Sequence, residues 1–239
     1  MTYSSTPIPV YLEIGKKRTF AGAVQWPGWC RSGRDESAAL QALFEYGPRY
    51  GRVVSGAKLG FRAPLTLPTL VVRERLAGNA ITDFGAPGLA PAADARAVDA
   101  SEVRRLQALL RACWRAFDAA TKAARGKELR KGPRGGGRDT EKIIRHVLGA
   151  EAAYLGQLGW AFKADEAADL TPELMRTRQA ALLAAQRIDP QVTEAQITPT
   201  EVALTLTYRL GGPRARFTPL VVRADLHSVL ATLPRPVAP

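Results

Sequence analysis

The sequence predicts an α+β protein: a small N-terminal antiparallel sheet with one helix, followed by a four-helix bundle with a short strand insertion. Two short stretches, 9–14 and 18–25, predict a β-hairpin because a tight connection joins them. Between 100 and 124, apolar residues recur at spacings of three and four, which is the period of an amphipathic helix. A segment rich in Pro, Ala and Gly, 85–98, separates these patterns and lacks any period.

Composition limits the classes of protein that fit. The chain has 239 residues, 46% of them hydrophobic, which is enough for a core in one large or two modest domains. No apolar run reaches about 18 residues, and the N-terminus lacks a charged region followed by an apolar one. We therefore expect a cytoplasmic protein with no membrane partner. The net charge of +12 attracts polyanions, so nucleic acid is one candidate partner.

The N-terminal hairpin is followed by a turn that contains two tryptophans, Trp26 and Trp29. These side chains either form a binding edge or cover the small sheet, and the second interpretation is favoured because so small a sheet needs a large apolar lid. Asp35 then predicts the N-cap of a helix over 36–46, which Gly47-Pro48 should end.

This order of elements carries a family resemblance. Two strands followed by WPGWCRSGRDESAALQAL resemble the HicB-type antitoxin domain over residues 9–50. The resemblance implies a sheet-and-helix module, which we extend to 1–84. HicB antitoxins usually add a DNA-binding module, and none is recognised here, so a toxin-neutralising role is not carried over.

Further strands are predicted in the middle of the chain. Val53-Val54 and 59–61 are candidate short strands, and 69–76 is a longer one with Arg73 and Arg75 outward. These strands should extend the N-terminal sheet. We place the domain boundary in the linker 85–98, which leaves 99–239 for the bundle.

The C-terminal part is predicted to be mainly helical. Asp99 and Glu102 are predicted to form a capping box ahead of the first helix, and Asp139 is the candidate N-cap of the second. Unbroken alternation over 200–210 favours a strand, although 198–201 resembles a helix capping box. The predicted helices cover 100–124, 140–159, 172–187 and 219–232.

Four helices with a long connection before the last resemble the DinB-like bundle family. The motifs that carry the resemblance are IIRHVxxAExxYL at 143–155 and RFTPLVVRxDLHSVL at 216–230. Many members bind a divalent metal through three histidines, and some act as metal-dependent, thiol-using enzymes. The bundles often pair, so the resemblance makes a homodimer one candidate assembly.

Mapped onto this chain, the resemblance implies metal ligands at His146 and His227, whereas the third ligand position is Ala231. Glu151 or Asp225 would complete a weaker set that includes oxygen. Zinc or nickel is the implied ion. Because one imidazole of the usual pair is missing, we expect no cofactor, with a divalent metal as the alternative.

The two cysteines, Cys30 and Cys113, are far apart, so they form neither a disulfide framework nor a zinc finger. Cys113 lies in a helical apolar stripe and is expected to be buried. Cys30 lies in a turn region, where an exposed and reactive thiol is an alternative interpretation but not the favoured one.

A basic, glycine-rich loop precedes the second bundle helix. Glycines allow backbone amides to converge, and the helix N-terminus favours an anion, although the P-loop spacing is absent. The alternative interpretation is a solvated connection between helices. The candidate anion-binding or nucleic-acid-binding side chains are Lys127, Arg130, Lys131, Arg134 and Arg138.

Three functions follow from these patterns. The favoured one is a non-catalytic binding protein on a DinB-like bundle with a degraded metal site. The first alternative is a metal-dependent enzyme in which the ion lowers the pKa of water or a thiol. The second alternative is a basic nucleic-acid-binding protein.

Overall fold

A computed structural model of the chain describes residues 3–95, 99–127, 139–157, 165 and 169–186. These residues form a mixed α/β structure with a four-stranded sheet and several helices. The strands are β1 (Tyr3–Ser4), β2 (Ile8–Ile14), β3 (Thr19–Ala23), β4 (Cys30–Gly33), β5 (Ala63–Pro64) and β6 (Leu70–Ala77). The α-helices are α1 (Glu36–Val54), α2 (Ala80–Phe84), α3 (Ala100–Ala124), α4 (Thr140–Gln157) and α5 (Leu170–Gln186).

The main sheet has the strand order β4-β3-β2-β6. The predicted hairpin is present, because β2 and β3 pair antiparallel from Val10–Ala23 to Ile14–Thr19. The predicted strand over 69–76 joins this sheet as β6, but it runs parallel to β2, so the sheet is mixed rather than antiparallel. A parallel neighbour needs a long crossover, and α1 lies between β4 and β6 along the chain and packs on the sheet.

Helix α1 begins where the sequence predicts and ends later. The Asp35 carboxylate accepts the Ala38 N–H at 2.8 Å, which confirms the N-cap. The expected end at Gly47-Pro48 is wrong, since the helix continues to Val54 with Pro48 inside it. Burial of Tyr50 and Val54 against the sheet stabilises the last turns and outweighs the missing proline hydrogen bond.

The short strands predicted after α1 are also not formed. Val53 and Val54 belong to the helix, and 59–61 is irregular. Phe61 packs instead into the hydrophobic core. A strand that the sequence analysis did not predict, β5, pairs parallel with β1 in a separate two-stranded sheet.

The two tryptophans of the turn cover the sheet, as the favoured interpretation predicts. Trp29 is fully buried, and its indole N–H donates to the Leu43 carbonyl of α1 at 2.9 Å. Its ring stacks on Tyr50 at 5.9 Å, while Trp26 and Phe61 make edge contacts with this pair. The turn is thereby fixed against α1.

The first three helices predicted for the C-terminal part lie close to their predicted bounds. Asp99 caps α3 by accepting the N–H groups of Ser101 and Glu102, and Asp139 caps α4 by accepting the Lys142 N–H at 2.7 Å. Glu102 itself pairs with Arg105. The predicted fourth helix, 219–232, and the predicted strand, 200–210, lie outside the described residues.

Helix α3 contributes to two parts of the core. Leu106, Leu109 and Leu110 pack with the sheet and α1, whereas Phe117 packs with Val147 of α4. One helix therefore contacts both the N-terminal sheet and the helices that follow.

Candidate nucleic-acid interface

The two predicted metal ligands that the structure describes lie on α4. His146 is exposed, and Glu151 is half-buried. They are five residues apart, which places them about 140° apart around the helix axis, so they do not face one ion together. Among the described residues, no group of three or more His, Cys, Asp and Glu side chains is arranged to hold a metal. Asp225, His227 and Ala231 lie outside this part of the chain.

Glu151 has a structural partner, as its position in an apolar stripe requires. Its Oε1 accepts the indole N–H of Trp114 at 2.8 Å, which links α4 to α3. The guanidinium of Arg178 on α5 lies 5.3 Å from the centre of the Trp114 ring. Nη1 of this arginine donates to both carboxylate oxygens of Asp118 at 2.9 Å. These contacts join three helices.

Both cysteines are buried. The alternative of an exposed thiol at Cys30 is wrong, because Cys30 begins β4 and is only 2% exposed. The expectation for Cys113 is confirmed. Burial raises the pKa of the Cys113 thiol to about 12, although Arg115 opposes this shift. At neutral pH the Cys113 thiol is therefore protonated and a poor nucleophile.

Of the predicted anion-binding loop, the structure describes only the beginning. Lys127 is exposed and follows the C-terminus of α3. Arg130, Lys131, Arg134 and Arg138 lie outside the described residues.

A second group of cations leads directly to this loop. Arg104, Arg111, Arg115 and Lys122 are all exposed residues of α3. Their spacings of seven, four and seven place them within about 40° of one another around the axis, over about 27 Å of helix. We call these four residues the α3 basic row. None of the four forms a salt bridge with a carboxylate among the described residues.

The surroundings keep this surface positive. Asp118, the acidic side chain nearest the row on α3, pairs with Arg178, so its charge is compensated. Arg104 lies close enough to Asp99 to help lower the pKa of that carboxyl, after the hydrogen bonds from Ser101 and Glu102. The only α3 acid in phase with the other three members is Asp118, which pairs with Arg178.

Helix α1 adds cations beside the row. A Cβ on Gly56 would lie 3.4 Å from Nη2 of Arg115, so the turn Ser55–Ala57 adjoins the middle of the row. Arg52 precedes this turn, Lys58 follows it, and both are exposed. The positive surface therefore extends from α3 onto the end of α1.

The cations predicted from the sequence mark only one end of this surface. The apolar face of α3 predicts the helix, whereas the α3 basic row lies on its opposite face. The signal was present, since four basic residues recur at helical spacing without an acid in phase except Asp118.

Comparison of the chain with protein-family models, with curated proteins and with solved structures found no match. Among the helices of the described ranges, none combines the length and the apolar character that a membrane crossing requires.

Proposed function

We propose that this is a non-catalytic binding protein whose ligand is a polyanion, a nucleic acid, held along the α3 basic row. The observation that carries the proposal is the alignment of Arg104, Arg111, Arg115 and Lys122 on one exposed face. Regularly spaced guanidinium and ammonium groups without acidic partners are suited to contact successive phosphates.

The structural roles of two carboxylates and the burial of both thiols support a non-catalytic role. Glu13 and Glu151 accept hydrogen bonds that connect elements of the fold, and both thiols are buried. In this proposal the HicB-like and DinB-like regions act as a cytoplasmic scaffold for binding. The metal-dependent enzyme stays a hypothesis that depends on His227 and Asp225.

The test is fluorescence anisotropy with labelled DNA and RNA over a range of salt concentrations. Phosphate contacts predict that the logarithm of affinity falls linearly with the logarithm of salt concentration. The double variant Arg111→Ala/Arg115→Ala should bind more weakly to all sequences alike, and its salt slope should be smaller by about one per lost contact.

The control is Arg34→Ala/Arg145→Ala, which removes the same charge from two exposed arginines that lie outside α3 and form salt bridges. This variant should bind nearly as well as the parent. Equal weakening by both double variants would mean that net charge alone attracts the ligand. No binding at about 50 mM salt would reject the proposal.

A further inference from the structure

A second surface lies at the turn between β2 and β3. Phe84, the last residue of α2, is 90% exposed, and Ile81 on the same short helix is 42% exposed. The cations Lys16, Lys17 and Arg18 form the adjoining turn and are exposed. We call these five residues the α2 tip.

The α2 tip is held together by specific bonds. The Lys17 N–H donates to the Asp83 carboxylate at 2.7 Å, which ties the turn to α2. A Cβ on Gly85 would lie 3.8 Å from the guanidinium carbon of Arg18, so this cation lies beside the residue that follows Phe84. Arg18 also donates to the Ser32 hydroxyl at 3.3 Å. Asp83 is the acidic residue of this surface and compensates one of its three positive charges.

The segment that carries Phe84 is fixed from beneath. Asn79 and Thr82 form a capping box, and the Thr82 hydroxyl donates to the buried Glu13. Gly88 and Leu89 then donate their N–H groups to the same carboxylate at 2.8–3.0 Å. Hydrogen bonds to Glu13 therefore hold the segment that presents Phe84. Because the Phe84 ring is 90% exposed, it buries little apolar area and contributes little to the stability of the fold.

We propose that the α2 tip binds single-stranded nucleic acid, with Phe84 stacking on a base and Lys16, Lys17 and Arg18 contacting phosphates. An exposed aromatic ring beside cations is the combination that single strands require, because bases offer flat faces and the backbone offers negative charge. A duplex keeps its bases stacked inside and offers no such face. This inference rests on the proposed function in taking the polyanion to be a nucleic acid, and it adds a second contact away from α3.

The test compares three probes by anisotropy and competition: an oligothymidylate, duplex DNA of matched length and inorganic polyphosphate. The parent should prefer the oligothymidylate. Phe84→Ala should weaken oligothymidylate binding roughly tenfold and leave polyphosphate binding unchanged. Phe84→Tyr keeps the stacking ring and should bind like the parent, whereas Phe84→Leu keeps the apolar character and should bind like the alanine variant.

Several results would overturn the inference. Unchanged oligothymidylate binding by Phe84→Ala would remove the stacking role, and equal weakening toward polyphosphate would make the effect independent of bases. If Phe84→Ala loses binding to phosphatidylserine vesicles but still binds oligothymidylate like the parent, the α2 tip is a lipid contact and the inference is wrong.

The two proposals fail in different ways. If Arg111→Ala/Arg115→Ala binds like the parent while Phe84→Ala does not, the α3 basic row is wrong and the tip stands. If Phe84→Ala binds like the parent while Arg111→Ala/Arg115→Ala does not, the role of the α2 tip is wrong and the α3 basic row stands. Because Phe84 is exposed, circular dichroism should show an unchanged fold in all three Phe84 variants.

Discussion

Among single residues, Glu13 stands out because its carboxyl group is buried within the sheet. It is fully buried in β2, yet its carboxylate accepts from Thr82, Gly88 and Leu89, three neutral donors from the segment that follows β6. Burial raises the pKa of the Glu13 carboxyl from its ordinary value of 4.5, and the three hydrogen bonds oppose this shift without cancelling it. Glu13 thus fixes an irregular segment to the sheet.

Replacing Glu13 should test this role. Glu13→Ala leaves three donors without their acceptor and opens a cavity, so we expect the free energy of unfolding to fall by about 3 kcal/mol. Glu13→Gln keeps the volume and one acceptor oxygen and should cost less. Urea denaturation followed by tryptophan fluorescence measures both, and a smaller loss in the alanine variant would contradict the assignment.

The raised pKa of Glu13 also predicts a pH dependence. A carboxyl whose pKa is higher in the folded state binds its proton more tightly there, so its contribution to stability is fully present below about 4.5. That contribution is lost as pH rises through the folded-state pKa. The stability of the parent relative to Glu13→Gln should therefore decrease from pH about 4.5 upward, and a constant difference in the free energy of unfolding would contradict it.

At the scale of elements, α1 shows how packing overrides local preference. Gly47 and Pro48 are common helix terminators, but the helix passes through them because its buried face continues. Gly47 has a packing reason: an added Cβ would lie 2.9 Å from Pro64 and 3.3 Å from Trp29. The absence of a side chain lets β5 and the aromatic cluster approach the helix.

The same substitution should therefore have opposite effects in two helices. Gly149 of α4 is exposed, and an added Cβ there would meet no atom within 4 Å. Gly149→Ala should raise the free energy of unfolding by up to about 1 kcal/mol, since alanine is the better helix former. Gly47→Ala should lower it despite the same gain in propensity. Thermal denaturation of the two variants decides this, and stabilisation by Gly47→Ala would refute the packing argument.

In the molecule as a whole, the two faces of α3 have different roles. Its apolar face packs first on the sheet and α1 and then on α4, while its opposite face carries the α3 basic row. The helix that connects the parts of the core thus also presents four aligned, exposed cations that form no salt bridge within the described ranges. Binding along this row requires no rearrangement of the core.

The connecting role of α3 can be measured with one leucine. Leu110 is 7% exposed and packs with the sheet and α1, so Leu110→Ala should lower the free energy of unfolding by about 2–5 kcal/mol. Leu183 on α5 is 44% exposed, and Leu183→Ala should change it by less than about 1 kcal/mol. Similar losses in the two variants would show that Leu110 is not part of a shared core.

Several elements and one end of the basic surface follow from the sequence, because they depend on neighbouring residues. Capping by Asp35, Asp99 and Asp139 and the hairpin are local features. The positive charge near Lys127 is equally visible in the sequence. Burial of Cys30, in contrast, depends on strand β4. This strand has four residues and too few apolar ones to show an alternating pattern.

Local patterns in the sequence predict where α1, α3, α4 and the hairpin begin, because caps, turns and apolar periods act over a few residues. Helix α2 was not predicted. Tertiary structure alone decided that α1 continues through Pro48, that β6 lies parallel to β2, and that Glu13 holds the segment presenting Phe84. The physical reason is that burial depends on which distant surfaces meet. The free energy gained there exceeds the local preferences that a sequence pattern records.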